Sequence, residues 1–219
     1  MKKLPLIIVV IVVVFVVLVA LNEEEKGTPK PDVAGWVTHP QNPIFKFDVS
    51  LLDGFPGDPW VIKDGGTYVM YYGAIKGDFT DTNTVRIFRA TSKDGISWKR
   101  NSVPLLSPCS SGSWDSVKIE TPSIIKLSDG TYRMYYAGSN VLNAENGFQM
   151  GFATSRDGAS WEKYPGNPVL KLGEKGSFDE LSIFEPSVLI KDGEYWMWYS
   201  GMSGKLQVSF GLAKSNDGI

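Results

Sequence analysis

The sequence predicts an all-β fold in which one four-stranded unit is written three times. Fixed spacing is the first observation: the proline that opens each copy recurs after 63 and 64 residues, at Pro59, Pro122 and Pro186. Self-similarity at a constant period indicates a modular array. The second observation is an Asp-Gly pair between apolar runs in every copy, which predicts a β-hairpin. The third is a later turn of the form Ser-x-Asp-Gly. Two hairpins make four antiparallel strands per copy.

Within each copy the strands follow from the residue pattern. First strands are predicted at the apolar runs 60–62, 123–125 and 187–190. Second strands, aromatic and apolar on both alternating faces, are predicted at 67–72, 131–136 and 194–199. Such strands are expected between two packed layers rather than at a solvent-facing edge. Third strands are predicted at 86–91, 149–154 and 209–214, and a short fourth strand carries Trp98 or Trp161.

Four-stranded sheets repeated in series are typical of the blades of a β-propeller. An open β-solenoid is the alternative, but the twin hairpins favour the propeller. In a propeller the first strand of each blade is innermost, so its leading end opens onto a central funnel. Three blades do not close a ring, and the third copy stops two residues before its expected Trp. The sequence is therefore expected to be a fragment of a longer propeller.

The N-terminal segment predicts one transmembrane helix. Residues 4–21 are an uncharged apolar run of 18 residues, just long enough to cross a bilayer core. Lys2 and Lys3 precede this run and three glutamates follow it, which places the N-terminus inside and the remainder outside the cytoplasm. The residues near the end of this run match a signal-peptide cleavage site poorly, so residues 1–21 are expected to remain as an uncleaved anchor. If they were cleaved, the protein would be secreted. A flexible linker over 22–35 and a propeller domain over 36–219 complete the predicted organisation.

Composition limits the chemistry that this sequence can perform. A net charge of −2 without a basic patch argues against a nucleic-acid partner. His39 is the only histidine and Cys109 the only cysteine. This leaves no recognisable Ser-His or Cys-His pair, no zinc site and no intramolecular disulfide. Carboxylates are the remaining candidates.

Acidic residues introduce the first strand of every blade, beside its proline. If those ends meet at the funnel, three blades aim carboxylates at one cavity. Cleavage of a glycosidic bond needs a protonated acid and an ionised base or nucleophile, and crowded like charges separate the pKa values of such groups. The alternative is that each carboxylate only caps backbone amides in a loop. The three candidates are Asp58, Glu120 and Glu185.

Four further residues near the same ends are candidates for substrate binding. Trp60 and Trp114 offer flat apolar faces on which sugar rings could stack. Asp115 and Asp179 end equivalent Gly-Ser-aromatic-Asp segments ahead of the second and third blades. They either contact sugar hydroxyls or fix the approach of the chain to the inner strand, and both interpretations stay open at this point.

Several motifs together resemble the five-bladed β-propeller glycoside hydrolases, a group that includes arabinanases, β-xylosidases, invertases and levansucrases; the β-mannoside phosphorylases are similar. The motifs are the strand starts DPW, ETPS and EPSV, the second strands GTYxMYY, the turns SxDGxxW, and the segments NPIF at 42–45 and GNPVL at 166–170. The resemblance covers about residues 40–219. It implies five blades in the complete protein, of which three are present here.

The resemblance also implies roles for individual residues. Asp58 matches the Asp before Pro that serves as base or nucleophile in that group. The position of a second Asp, which tunes the acid, is occupied by Thr121 and departs from the pattern. Glu120 and Glu185 both match the general acid, and we predict Glu185 as acid and Glu120 as helper.

The function implied is hydrolysis of extracellular oligo- or polysaccharides, with a non-catalytic carbohydrate-binding or interaction propeller as the alternative. The expected partners are a carbohydrate substrate and, through the N-terminal helix, a membrane; no protein partner is indicated. No cofactor is required. Many members of the group hold a calcium ion in the channel, but no ligand cluster in the sequence indicates calcium.

Overall fold

The computed structural model describes residues 35–81, 84–141 and 147–219. The chain divides into two units, residues 1–42 and 43–219. The predicted transmembrane helix and almost all of the predicted linker lie outside the described residues. Within the described ranges, no helix is long and apolar enough to span a membrane.

The unit from Pro43 to Ile219 is built from three antiparallel sheets whose strands pair in chain order. Blade 1 contains β1 (Phe55–Asp64), β2 (Thr67–Ile75), β3 (Arg86–Ser92) and β4 (Lys99–Arg100). Blade 2 contains β5 (Lys118–Lys126), β6 (Tyr132–Ser139), β7 (Gln149–Ser155) and β8 (Glu162–Lys163). Blade 3 contains β9 (Ser182–Lys191), β10 (Glu194–Met202) and β11 (Val208–Ser215). The predicted all-β fold with four-stranded antiparallel sheets is confirmed.

The turns of the form Ser-x-Asp-Gly are held by the same hydrogen bonds in blades 1 and 2. In blade 1 the Asp94 carboxylate accepts the backbone N–H groups of Ile96 and Ser97, both at 2.8 Å. Those donors hold the pKa of Asp94 well below its usual range. Asp157 in blade 2 accepts an equivalent pair of N–H groups. These aspartates are therefore turn residues, as the recurrence of the motif predicts.

Aromatic second strands form the centre of the packing. Every residue of β2 from Val69 to Ile75 is buried, which confirms that this strand lies between two layers. Between blades 1 and 2 the core cluster includes Tyr71, Ile119 and Met134, and a second cluster packs blade 2 against blade 3. Burial of each large apolar side chain of this kind stabilises the fold by about 1.5–3 kcal/mol.

Equivalent hydrogen bonds join each blade to the next. Tyr71 on β2 donates its hydroxyl to the carbonyl of Gly158 at 2.9 Å, and Tyr135 on β6 donates to Gly218 at 2.9 Å. These bonds tie a second strand to the turn of the following blade. The first strands also contact one another, β1 with β5 and β5 with β9. The first strands of successive blades are thus neighbours.

Blades 1 and 2 each bury an apolar residue of their third strand whose equivalent in blade 3 is exposed. The third strands carry Ile87, Met150 and Phe210 at equivalent positions. Ile87 and Met150 have no exposed surface and pair with Leu106 and Leu170 of the segment that follows their own blade. Phe210 is 85% exposed. The third blade thus follows the same plan while one of its faces remains in contact with solvent.

Candidate active site

A β-bulge of the same kind interrupts the first strand of every blade. In each blade two residues of the first strand stand opposite one of the second, between Gly57 and Trp60, Glu120 and Ser123, and Phe184 and Ser187. The residue directly before the proline adopts a left-handed conformation, with φ of 49° at Asp58, 51° at Thr121 and 55° at Glu185. Bulges re-aim side chains, and such strain in residues other than glycine concentrates at functional sites.

The bulges define which residue of blade 2 is equivalent to Asp58. The residue equivalent to Asp58 and Glu185 is Thr121, because it has the same φ and precedes the same proline. Glu120 lies one position earlier and pairs with Ala137 on the neighbouring strand. A positive φ is a rare conformation for a β-branched residue, and the buried Thr121 hydroxyl finds no hydrogen-bond partner in the described part of the chain. Blade 2 keeps the strained geometry without the carboxylate.

Asp58 and Glu120 come together on either side of Gly73. A Cβ atom added to Gly73 would lie 3.5 Å from Asp58 Oδ2 and 3.7 Å from Glu120 Cβ. A side chain at this point of β2 would therefore be in ordinary van der Waals contact with acidic residues from two blades. The Asp58 carboxylate and the Cβ atom of Glu120 thus lie near the same point of β2, and the convergence of the carboxylates stays a prediction.

Glu185 is the third member of the group, because its charge acts on Asp58. The pKa of the Asp58 carboxyl is raised, first by desolvation and then by the negative charge of Glu185. Asp58 is nevertheless exposed to solvent. A side chain at the bottom of an open depression can be both accessible to water and partly desolvated by the surrounding protein. Glu185 is also exposed, and one of its oxygens, Oε2, accepts a hydrogen bond of 2.7 Å from the hydroxyl of Ser200.

Both tryptophans predicted to stack on sugars instead pack between sheets. The Trp60 indole donates to the carbonyl of Ile124 in blade 2 at 3.2 Å and lies against the core cluster between blades 1 and 2. Trp114 stacks on Tyr136 with ring centroids 5.8 Å apart. A Cβ atom on Gly151 would lie 2.6 Å from the Trp114 ring. The structure therefore assigns these two residues to packing, which corrects the prediction.

Asp115 and Asp179 are also interior residues. Asp115 has no exposed surface and forms an ion pair of 2.5 Å with Lys163, while Tyr136 donates its hydroxyl to the same oxygen at 3.2 Å. Asp179 accepts the hydroxyl of Tyr199 at 2.9 Å. In these positions neither carboxylate reaches a sugar, so the structure supports the second interpretation, in which they fix the approach to the inner strand.

Sequence reasoning missed the full set of these buried pairs. Blade 1 has its own copy, in which Tyr72 donates to Asp53 and Arg100 lies 3.5 Å from the same carboxylate. The tyrosine follows its aspartate by 19, 21 and 20 residues in the three blades. That near-constant interval is the signal that could have revealed the pairs.

The described ranges contain no group of three or more His, Cys, Asp or Glu side chains able to hold a metal ion. Calcium stays an expectation from the resemblance.

Comparison with known proteins decides the family. The family model described as "Glycosyl hydrolases family 32 N-terminal domain" matches residues 54–219, which includes all three blades. The chain belongs to this family. The family 32 domain is also 32% identical over 157 residues to the uncharacterized protein MT1551 of Mycobacterium tuberculosis, covering 71% of this chain and 49% of that protein.

Two solved structures share the fold of the family 32 domain. One is a family 117 glycoside hydrolase of the marine bacterium Zobellia galactanivorans, with 23% identity and a TM-score of 0.67, covering 79% of this chain and 56% of that one. The other is fructan 1-exohydrolase IIa of Cichorium intybus, with 20% identity and a TM-score of 0.59, covering 74% and 30%. The predicted relationship to the propeller glycoside hydrolases is confirmed. The chain spans about half the length of the curated relatives that it matches.

Proposed function

We propose that this protein is a glycoside hydrolase that cleaves extracellular oligo- or polysaccharides by carboxylate acid–base catalysis. One observation carries the proposal: equivalent strained bulges on two blades carry Asp58 and Glu185, and the charge of Glu185 adds to desolvation in raising the pKa of Asp58. The family 117 hydrolase and the fructan exohydrolase, which share its fold, support a carbohydrate substrate. The complete propeller is proposed to have five blades.

In the proposed mechanism Glu185 protonates the leaving glycosidic oxygen. Asp58, ionised, then either attacks the anomeric carbon or removes a proton from a water molecule that attacks it. The negative charge of Glu185 raises the pKa of Asp58, so a proton placed on Glu185 removes that repulsion and favours an ionised Asp58. Glu120, on the other side of Gly73, is proposed to assist.

The alternative is a non-catalytic carbohydrate-binding or interaction propeller. One observation favours it: Thr121 stands at the bulge of blade 2, where the resemblance implies a second Asp. Under this alternative the strained geometry is inherited from the repeat, and the two remaining carboxylates contribute to binding without turnover.

Replacing Glu185 by Gln is expected to lower kcat/KM by roughly 100-fold or more on substrates whose leaving group needs a proton. The amide occupies the same space but cannot supply the acidic proton. With 2,4-dinitrophenyl glycosides, whose leaving group departs without protonation, the loss should be several-fold smaller. The measurement is initial-rate kinetics on a panel of aryl glycosides and natural oligosaccharides.

The matched control is Glu174→Gln, which removes the same charge from an exposed residue outside the blades and should leave both rates unchanged. Equal losses on both classes of leaving group would show that Glu185 is not the acid. Sugar binding without turnover in the unmodified chain would favour the non-catalytic alternative.

We also propose that residues 1–21 anchor the protein in a membrane with the blades outside the cytoplasm. The support is the apolar run of residues 4–21 between two lysines and three glutamates. The full chain should remain with the membrane fraction after an alkaline carbonate wash, and protease added to intact spheroplasts should digest the blades. Recovery from the cytoplasmic supernatant would contradict the anchor, and a shortened chain in the medium would indicate cleavage.

A further inference from the structure

The residue that faces the start of each bulge from the neighbouring strand is small in all three blades. In the strand registers, Gly57 pairs with Gly73, Glu120 with Ala137, and Phe184 with Ser200. The first two of these facing residues, Gly73 and Ala137, have no polar side-chain atom. Ser200 does, so blade 3 differs from the other blades at the point where Glu185 emerges.

Ser200 is a buried and well-held hydrogen-bond donor. It is 2% exposed and pairs with Phe184 on one side and Phe210 on the other. Its backbone is therefore fixed by strands on both sides. From this position its hydroxyl donates to Glu185 Oε2 at 2.7 Å, which is a normal length for an O–H···O bond. The exposed Glu185 carboxylate is thus hydrogen-bonded to a donor whose backbone is fixed in the sheet.

We infer that Ser200 is the positioning residue of the proposed general acid, an inference that rests on the proposed function of Glu185. Because Ser200 donates to Oε2, that oxygen is occupied as an acceptor, and the acidic proton of Glu185 is left on Oε1. When the proton moves from Oε1 to the leaving oxygen, Glu185 becomes a carboxylate. The hydrogen bond from Ser200 then becomes charge-assisted and stronger. An interaction that strengthens as charge develops raises kcat rather than substrate affinity.

The repeat itself supplies a substitution that the fold accepts. Ala137 occupies the position of Ser200 in blade 2, so Ser200→Ala introduces a residue that this site already holds in an intact blade. Ser200→Thr keeps the hydroxyl. Ser209→Ala, at an exposed serine on β11, is the matched control.

Kinetics give the first test. Ser200→Ala is expected to lower kcat about tenfold on substrates that need protonation, the size of one charge-assisted hydrogen bond, and to leave KM within about twofold. The loss should shrink with 2,4-dinitrophenyl glycosides, and Ser200→Thr should recover most of the rate. A merely structural role for Ser200 would lower both rates alike.

A second measurement does not depend on turnover. In ¹³C NMR of glutamate side-chain carboxyls, the titration midpoint of Glu185 should rise in Ser200→Ala by roughly half to one pH unit, because a donor to the carboxylate stabilises its ionised form. Asp58 is the charged group that interacts with Glu185 from blade 1, and it is unchanged in the variant. Ser209→Ala should not move the midpoint.

The two measurements separate two kinds of failure. A midpoint that stays in place in Ser200→Ala overturns the inference, whatever the activity of the chain. A midpoint that rises in a protein without turnover confirms the contact and contradicts the proposed hydrolase. A tenfold loss of kcat that is equal for both leaving groups also overturns the inference, since proton delivery would then be unaffected.

Discussion

Asp58→Asn is expected to lower kcat/KM by roughly 10³-fold or more on every substrate, whatever its leaving group. Asn has the size of Asp and tolerates a left-handed backbone, but it can neither take a proton nor act as a nucleophile. Because the proposed role of Asp58 precedes or accompanies attack at the anomeric carbon, an activated leaving group should not rescue the variant. The measurement is the same panel of glycosides used for Glu185→Gln.

The control for Asp58→Asn is Asp192→Asn. Asp192 is an exposed turn residue with φ of 52°, against 49° for Asp58, so the same substitution is made in the same backbone conformation. It should leave the rate unchanged. Retention of more than a tenth of the rate in Asp58→Asn would contradict the assignment of the base.

The same variant should gain stability. The folded pKa of Asp58 is raised above its unfolded value, so the stability linked to this group is present below the unfolded pKa, about 4, and is lost as the pH rises through the folded pKa. Asn does not ionise, so the variant does not lose this stability as the pH rises. At pH 7 Asp58→Asn should therefore melt at a slightly higher temperature than the wild type, whereas at pH 3 the difference should vanish. A lower melting temperature at pH 7 would contradict the raised pKa.

Local signals in the sequence were enough to predict the blades. Asp-Gly turns, aromatic second strands and the spacing of the prolines are properties of neighbouring residues, and each copy supports the others. The first strands proved longer than predicted, with β1 reaching from Phe55 to Asp64. Each leading end contains a Pro, and that of β1 also contains Gly57; both residue types hide a strand from pattern reasoning because they are usually rare in strands.

Side-chain direction was less predictable, because each bulge inserts an extra residue. One inserted residue changes which face the following side chains occupy. Trp60 follows the bulge of β1 and turns toward blade 2 rather than the opening. The bulge selects the residue directly before the proline, which is Thr121 in blade 2, so Glu120 does not occupy the position of Asp58.

Long-range pairing explains the remaining misses. Asp115 stands in a loop-like segment and looks solvent-exposed in the sequence, yet its partner Lys163 lies 48 residues away on β8. Nothing in the sequence around Ser200 distinguishes it from other serines. Only the pairing of β9 with β10 places it beside Glu185, which precedes it by 15 residues. No local pattern encodes either contact, because both depend on which strands pair.

Lys163→Met is expected to destabilise the protein by about 3 kcal/mol, the lower end of the loss on breaking a buried ion pair. Asp115 has no exposed surface, and its ion pair with Lys163 is 2.5 Å long. Methionine keeps much of the length of the side chain but removes the charge, so Asp115 would remain buried beside only the hydroxyl of Tyr136. The lower end applies because the Lys163 side chain is 19% exposed, which lets water reach its ammonium group.

The expected loss of stability is this large because Asp115 is buried and not merely because it is paired. An exposed ion pair of the same chain provides a matched comparison. Lys126 and Asp64 form a pair of 2.6 Å whose side chains are 47% and 35% exposed, and exposed pairs contribute little. Lys126→Met should therefore change stability far less than Lys163→Met in the same urea titration. The double variant Lys163→Met with Asp115→Asn should be more stable than Lys163→Met alone, because it no longer buries an unpaired charge. Equal losses from the two lysine variants would show that Asp115 is not the buried anchor of blade 2.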